Sequence, residues 1–181
     1  MPTDEESFSR FLRGDEGGFE DLLDRYRTPL FSFILRMVGN GEADDVFQET
    51  FMRVLRHRHR FDAARRFRPW LYAIAANLCR DALRRRKRSP ELSGDELPDG
   101  VSVSNPEADS VGAEIRDAVA VAVAALPPDQ REVFLLREQA GLSFREISSA
   151  TGTNLNTVLG RMHQAVKKLK VHLTPLREDE I

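Results

Sequence analysis

The sequence predicts an all-α protein: two small helical domains joined by a flexible acidic linker, the second containing a helix-turn-helix. Three observations predict it. Apolar residues recur at steps of three and four wherever a period is visible, and no stretch alternates every second residue as a half-buried strand would. Charge falls in blocks, with net −4 over residues 1–64, +8 over 65–88, −6 over 89–112 and zero over 113–181. The −6 block also gathers Ser, Pro, Gly and Asp (Ser89-Pro90, Ser93-Gly94-Asp95, Pro98-Asp99-Gly100, Asn105-Pro106), which is a linker composition. The domains are therefore expected at 1–88 and 113–181, with 89–112 between them.

The elements follow in order. Over 19–38, Phe19, Leu22, Leu23, Tyr26, Leu30, Phe33, Ile34 and Val38 form one apolar face, with a bend expected at Pro29 and a stop at Gly39. Over 42–56 the inward set is Ala43, Val46, Phe47, Thr50, Phe51, Val54 and Leu55, opposite Asp45, Gln48, Glu49, Met52 and Arg56. Pro69 suits the first turn of a third helix, whose buried stripe is Leu71, Ile74, Ala75, Leu78 and Ala82. Trp70, Asn77, Arg84 and Arg88 share another face, because steps of seven and four nearly close whole turns. Past the linker, Ile115, Val119, Ala122, Val123 and Leu126 make a fourth amphipathic helix, which Pro127-Pro128 separates from a fifth over 128–139.

Ser143-Phe144-Arg145-Glu146 has the form of a capping box, and the short helix it opens carries Ile147 and Ala150 inward and stops at Gly152. The next helix starts near Asn154 and buries Leu155, Val158, Met162, Ala165 and Leu169. It leaves Asn156, Thr157, Gly160, Arg161, Gln164, Lys167 and Lys168 outward. Two helices so joined, the second polar and basic on its outer face, have the geometry that enters a major groove, although an ordinary helical hairpin has the same outline.

Composition narrows the function. At 41% hydrophobic and 31% charged residues the chain is globular rather than collagenous or disordered. No apolar run approaches the roughly 18 residues of a membrane span, and Met1-Pro2-Thr3-Asp4-Glu5-Glu6 is acidic where a secretory signal is basic, so a cytoplasmic location is expected. The single cysteine, Cys79, cannot form an intramolecular disulfide and reads as a buried thiol. His57, His59, His163 and His172 have no metal-ligand spacing, so neither a metal nor a cofactor is expected. Residues 65–88 hold nine Arg or Lys against one acid, Asp81, together with Trp70 and Asn77. Cations for phosphates, a ring to stack and an amide for base edges suit unpaired nucleic acid, whereas a solvated basic helix end explains the final Arg84-Arg85-Arg86-Lys87-Arg88 equally well. Trp70 also borders the apolar stripe, where a core position competes with a stacking platform.

These residues match a family. Glu42-Ala43-Asp44-Asp45-Val46-Phe47-Gln48-Glu49-Thr50-Phe51, Phe67-Arg68-Pro69-Trp70-Leu71-Tyr72-Ala73-Ile74-Ala75-Ala76-Asn77 and Asp81-Ala82-Leu83-Arg84-Arg85 resemble region two of the extracytoplasmic-function sigma factors of bacterial RNA polymerase. Leu126-Pro127-Pro128-Asp129-Gln130-Arg131-Glu132-Val133-Phe134 and Gly141-Leu142-Ser143-Phe144-Arg145-Glu146-Ile147 resemble region four. The resemblance implies that Asp45, Gln48 and Glu49 dock on the clamp helices of the largest subunit of core RNA polymerase. It implies that Arg65, Arg66, Trp70, Asn77, Asp81 and Arg84 melt and hold the minus-ten promoter element as a single strand. It assigns the duplex minus-thirty-five element to Asn156, Thr157 and Arg161, with Gln164, Lys167 and Lys168 beside them. It further implies nucleoid association within holoenzyme and an anti-sigma partner, and the linker, with its six acids and lack of core residues, suggests that the free domains tumble independently and close on such a partner wedged between them. The chain departs from the family's usual small Ala at Ser148, and from the usual basic or hydroxyl residues at Leu159, Gly160 and Gln164.

Two other classes compete. A nucleic-acid enzyme would need a carboxylate cluster, a phosphate-cradling loop or an activated nucleophile; the adjacent pair Asp44-Asp45 diverges by about 100° on a helix and makes a poor metal site. A free-standing helix-turn-helix regulator would leave the polar face of 42–56 and the basic face of 65–88 without a task.

Overall fold

Each periodic stretch is a helix in the computed structural model, which describes residues 1–62, 66–88 and 110–174, with side chains from 115 onward in the last segment. The helices are α1 Asp4–Leu12, α2 Glu16–Val38, α3 Asn40–His57, α4 Phe67–Arg88, α5 Ser110–Ala124, α6 Pro128–Glu138, α7 Phe144–Thr151 and α8 Leu155–Leu173, with a 3-10 turn at Arg58–Arg60. No strand occurs among the described residues. Most of the expected linker, 89–109, lies outside them, and its last three residues already belong to α5.

Helix α1 was not expected, yet its start is written in the sequence. Thr3 Oγ1 accepts from the Glu6 N–H at 3.2 Å and Glu6 Oε2 accepts from the Thr3 N–H at 2.7 Å, a reciprocal capping box. α1 lies so close to α2 that a Cβ on Gly18 would meet the Ser7 carbonyl oxygen at 2.3 Å and the Phe11 nitrogen at 2.7 Å. Only glycine permits that approach. It drives Phe8 (1% exposed) into an aromatic cluster with Phe61, Phe67 and Trp70 at centroid distances of 4.8, 5.0 and 5.7 Å.

α2 runs through Pro29 without ending, and Gly39 at φ 84° closes it as expected. The core of this half is formed by Leu22, Leu30, Phe33, Ile34, Val54, Leu71 and Ala75, all 0% exposed. Cys79 is buried within it, which pushes its thiol well above the ordinary range and leaves it protonated. In the C-terminal half, Leu126, Ile147, Val158 and Ala165 are buried where the periodicity placed them, together with Val133, Leu136 and Leu142. Ile115 departs from expectation at 47% exposed, because α5 packs on α8 and α2 through Ala122, Val123 and its C-terminal end.

In this structure the two helical halves are in contact. Buried residues of both halves form one continuous core, with α6 against α2 and α7 against α4. The reason lies at the end of α2. A helix leaves its last four carbonyls without intrahelical partners. Here Leu35 O accepts from the Gly39 N–H at 2.8 Å, Arg36 O and Met37 O accept from Arg131 of α6 at 3.4 and 3.2 Å, and Val38 O accepts from Arg86 of α4 at 3.1 Å. Arg131 also donates to Ala124 O at 2.7 Å and Leu126 O at 3.0 Å, so one guanidinium closes the ends of α2 and α5 together. Both cations sit at the negative end of the α2 dipole.

Candidate nucleic-acid interface

The polar face of α3 is presented as its phase requires. Asp45 and Gln48 are exposed, and Met52 beside them is 48% exposed. Glu49 is half-buried between Arg56 at 3.0 Å and Arg53 at 3.1 Å, whose hydrogen bonds hold its carboxyl below the usual range.

α4 is fixed from its N-terminus. The Phe67 N–H donates to Glu5 Oε1 of α1 at 3.1 Å, placing a carboxylate at the positive end of the helix. One turn on, Arg68 Nε donates to Tyr26 Oη at 3.2 Å, and Tyr26 Oη donates to Asp4, which Arg25 also holds. Burial and the bond to Asp4 push the Tyr26 phenol well above its ordinary value, so it stays a donor. Trp70 is half-buried, its ring against Phe61 at 4.9 Å and Phe67 at 5.9 Å. It is thus partly core, and its free edge lines a cleft of about 370 Å³ with Arg66, Pro69 and Ala73 of the N-terminal half and Glu146, Ser149 and Ala150 of α7.

Asn77 is exposed one turn beyond Ala73, with its amide oxygen accepting from Arg80 at 2.7 Å. That leaves the amide NH2 facing outward. Asp81 and Arg84 are exposed and pair at 3.6 Å. Arg66 is exposed and reaches Glu146 at 3.4 Å. Arg65 lies outside the described residues. Among the described residues no group of His, Cys, Asp or Glu could hold a metal.

The helix-turn-helix is built as its sequence directs. Ser143 Oγ accepts from the Glu146 N–H at 3.2 Å and Glu146 Oε2 accepts from the Ser143 N–H at 2.8 Å. Burial pushes the Glu146 carboxyl up, but the Ser143 bonds and Arg66 outweigh it and its net shift is downward. Gly152 takes the left-handed conformation, φ 64° and ψ 23°. Ser148 Oγ donates to Thr153 O at 2.6 Å across the turn, so the departure from Ala adds a tie there. Asn154 caps α8 by accepting from the Asn156 N–H at 2.8 Å. Asn156, Thr157, Gln164, Lys167 and Lys168 are exposed, as is Leu159 at 42%. Arg161 differs. It is half-buried and paired with Asp129 of α6 at 2.7 Å, a partner 32 positions away that helix phase could not reveal.

An exposed amide on the basic-ended helix α4 and a helix-turn-helix with a polar, basic outer face on α8 are surfaces suited to nucleic acid. Comparison with known proteins sharpens that reading. Residues 22–89 match the family model for sigma-70 region 2, and residues 116–169 match that for sigma-70 region 4. The chain is 36% identical over 162 residues to the RNA polymerase sigma factor CarQ of Myxococcus xanthus, covering 89% of this chain and 92% of that protein. It is 31% identical over 183 residues to the ECF RNA polymerase sigma-E factor of Escherichia coli K12, covering 96% of each. Among solved structures, the sigma factor RpoE in complex with the anti-sigma factor NepR from Bartonella quintana shares the fold at a TM-score of 0.72 and 20% identity, over 86% of this chain and 96% of that one. CnrH in complex with the cytosolic domain of CnrY shares it at 0.69 and 24%, over 95% and 97%. The chain belongs to the extracytoplasmic-function branch of the sigma-70 family: it is an RNA polymerase sigma factor, a transcription initiation factor that binds core polymerase and promoter DNA. A free-standing regulator is not favoured. No described helix is long and apolar enough to cross a membrane.

Proposed function

We propose that the sigma activity is divided among three surfaces of this chain, within units at 1–88 and 113–181. Asp45, Gln48 and Glu49 dock on the largest polymerase subunit. Arg65, Arg66, Trp70, Asn77, Asp81 and Arg84 take the displaced strand of the minus-ten element. Asn156, Thr157, Arg161, Gln164, Lys167 and Lys168 take the minus-thirty-five duplex. The factor works in the cytoplasm, performs no catalysis of its own, and is held inactive by an anti-sigma partner.

The observation that carries this reading is Asn77: an exposed amide oriented by Arg80, on a helix whose last turn is basic, offers hydrogen bonds to a base edge and cations to its phosphates. The supporting test is transcription in vitro with core polymerase. Asp45→Lys with Glu49→Lys should abolish co-migration with core polymerase while helical content stays unchanged. Asn77→Ala should slow open-complex formation on duplex templates and much less on templates with a pre-melted bubble. Unchanged co-migration would remove the docking assignment, and equal Asn77→Ala defects on both templates would make Asn77 structural.

A further inference from the structure

The displaced strand is assigned in part to Arg66 and Trp70, which stand just before α4 and in its first turn. A helix start leaves its leading N–H groups without intrahelical partners, and the residue before the helix ordinarily closes one of them with a side-chain oxygen. Here that residue is Arg66, whose guanidinium only donates. Its side chain is 79% exposed and reaches Glu146 instead. A cation suited to phosphate thus occupies the place where a cap belongs.

α1 supplies the missing acceptor. Glu5 Oε1, 62 positions upstream, accepts from the Phe67 N–H at 3.1 Å. The adjacent carboxylate, Asp4, accepts from Arg25 and from Tyr26 Oη, and the same Tyr26 oxygen accepts from Arg68 Nε at 3.2 Å. One turn further along α1, Phe8 backs the Phe67 ring at 5.0 Å and the Trp70 ring at 5.7 Å. The start of α1 therefore holds the start of α4 through its backbone, through the side chain of its second residue and through its aromatic face. Packing of Phe8 would suffice to bury α1, whereas the two carboxylates fix the position and direction in which α4 begins. None of the three surfaces assigned above uses a residue of α1.

We propose that α1 is a brace for the strand-facing end of α4, with Glu5 a positioning residue for promoter opening: it provides the cap that Arg66 cannot, and so holds Arg66 and Trp70 in place to take the displaced strand. This rests on the assignment of that strand to α4 made above.

Two measurements test it. Trp70 is the single tryptophan, so its fluorescence in the free full chain reports on the first turn of α4. In Glu5→Ala, quenching by acrylamide should rise about twofold as that turn frays, while far-UV circular dichroism keeps the wild-type helicity. With holoenzyme assembled on core polymerase, Glu5→Ala should co-migrate unchanged and open duplex promoters about fivefold more slowly, the ratio equivalent to about 1 kcal/mol for one lost cap. Templates with a pre-melted bubble should be affected much less. Glu5→Gln keeps a neutral acceptor in the same place, and charge-assisted hydrogen bonds are about twice as strong as neutral ones, so its defects should fall between wild type and Glu5→Ala. Unchanged quenching in Glu5→Ala, or Glu5→Gln as impaired as Glu5→Ala, overturns the cap. Equal Glu5→Ala defects on both templates would make Glu5 a support of the whole fold and overturn its positioning role. If Glu5→Ala opens promoters at the wild-type rate while Asn77→Ala keeps its duplex-selective defect, the brace falls and the strand assignment stands. If Asn77→Ala slows both templates equally, the strand assignment falls and the brace with it.

Discussion

Replacing Arg131 with Ala should lower stability more than any other single change of a charged side chain in the C-terminal half. The side chain is 5% exposed and makes bonds of 2.7 and 3.0 Å to Ala124 O and Leu126 O and of 3.2 and 3.4 Å to Met37 O and Arg36 O. Hydrogen bonds from a charged donor contribute ~1.5–3 kcal/mol each, which sets a ceiling of roughly 6–12 kcal/mol. Against this stands the several kcal/mol needed to bury a guanidinium. Burial, with Arg86 nearby, depresses the pKa of this group, so the cost is visible in the structure. Water also reaches some of the vacated carbonyls. A net loss of about 3 kcal/mol remains, equivalent to a melting-point drop of roughly 6–12 °C for a chain of this size. Arg131→Lys, with three donors on a single nitrogen, should recover less than half of it. Thermal melts followed by far-UV circular dichroism and by calorimetry decide the matter. In Arg131→Ala the transition should also broaden or split, because the two halves lose the group that couples their ends. A drop under about 2 °C with one sharp transition would show that water replaces the guanidinium without loss, and the account of the α2 terminus would fail.

The other expectations are simpler. Gly160 lies inside α8 with nothing within 4 Å of the place a Cβ would take, so Gly160→Ala should stabilise by ~0.5–1 kcal/mol, read as a rise in melting temperature; a fall would mean that an unseen contact exists there. Burial raises the Glu132 carboxyl above its ordinary value against the opposing pull of Arg80, so the folded state binds the proton more readily than the unfolded chain and stability falls as pH rises through that window. Glu49 and Glu146 are shifted the other way and contribute stability that is lost on acidification, so the Glu132 effect is isolated by difference: the melting-point gap of Glu132→Gln over wild type should widen from pH 4 to pH 7, and a constant gap refutes it. Gln164 is exposed on α8, so Gln164→Arg should tighten duplex binding across sequences and steepen its salt slope by roughly one unit. An unchanged slope would mean that this face does not meet DNA.

Helix phase made most of the fold legible. Val46, Phe51 and Val54 turn inward and Asp45 and Gln48 outward on α3, because a period of 3.6 leaves no other assignment. The same logic found Asn77, and the capping box with Gly152 found the turn of the helix-turn-helix. α1 was missed although Thr3 and Glu6 spell its cap, since Phe8, Phe11 and Leu12 give only one short apolar cluster in a helix of nine residues. Trp70 stayed ambiguous for a physical reason: its ring is large enough to pack on Phe61 and still line a cleft. The contact between the halves was not legible. Arg131 and Glu132 look like surface residues of a polar helix, and the groups that Arg131 satisfies are backbone carbonyls, which carry no sequence signal.

The same limit applies to the charge block that first marked the chain as a partner for polyanion. Local counting gives +8 over 65–88, as though that charge were free. In the fold, Arg66 faces Glu146 at 3.4 Å, Arg80 faces Glu132 at 3.0 Å and Arg85 faces Glu42 at 3.9 Å, while Arg86 is turned onto Val38 O at 3.1 Å. Arg84 shares its charge with Asp81, and Lys87 and Arg88 are exposed cations of the last turn with no such partner among the described residues. Arg66 and Arg80 take their partners from the C-terminal half and Arg85 and Arg86 from α3 and α2, so the two kinds of pairing respond differently to opening. Separating the halves would release Arg66 and Arg80, which flank Asn77, and would leave Arg85 and Arg86 as they are. The cations freed by opening are therefore those beside the amide assigned to the base edge, and the free closed chain should show a shallower salt dependence on single-stranded DNA than its charge block alone implies.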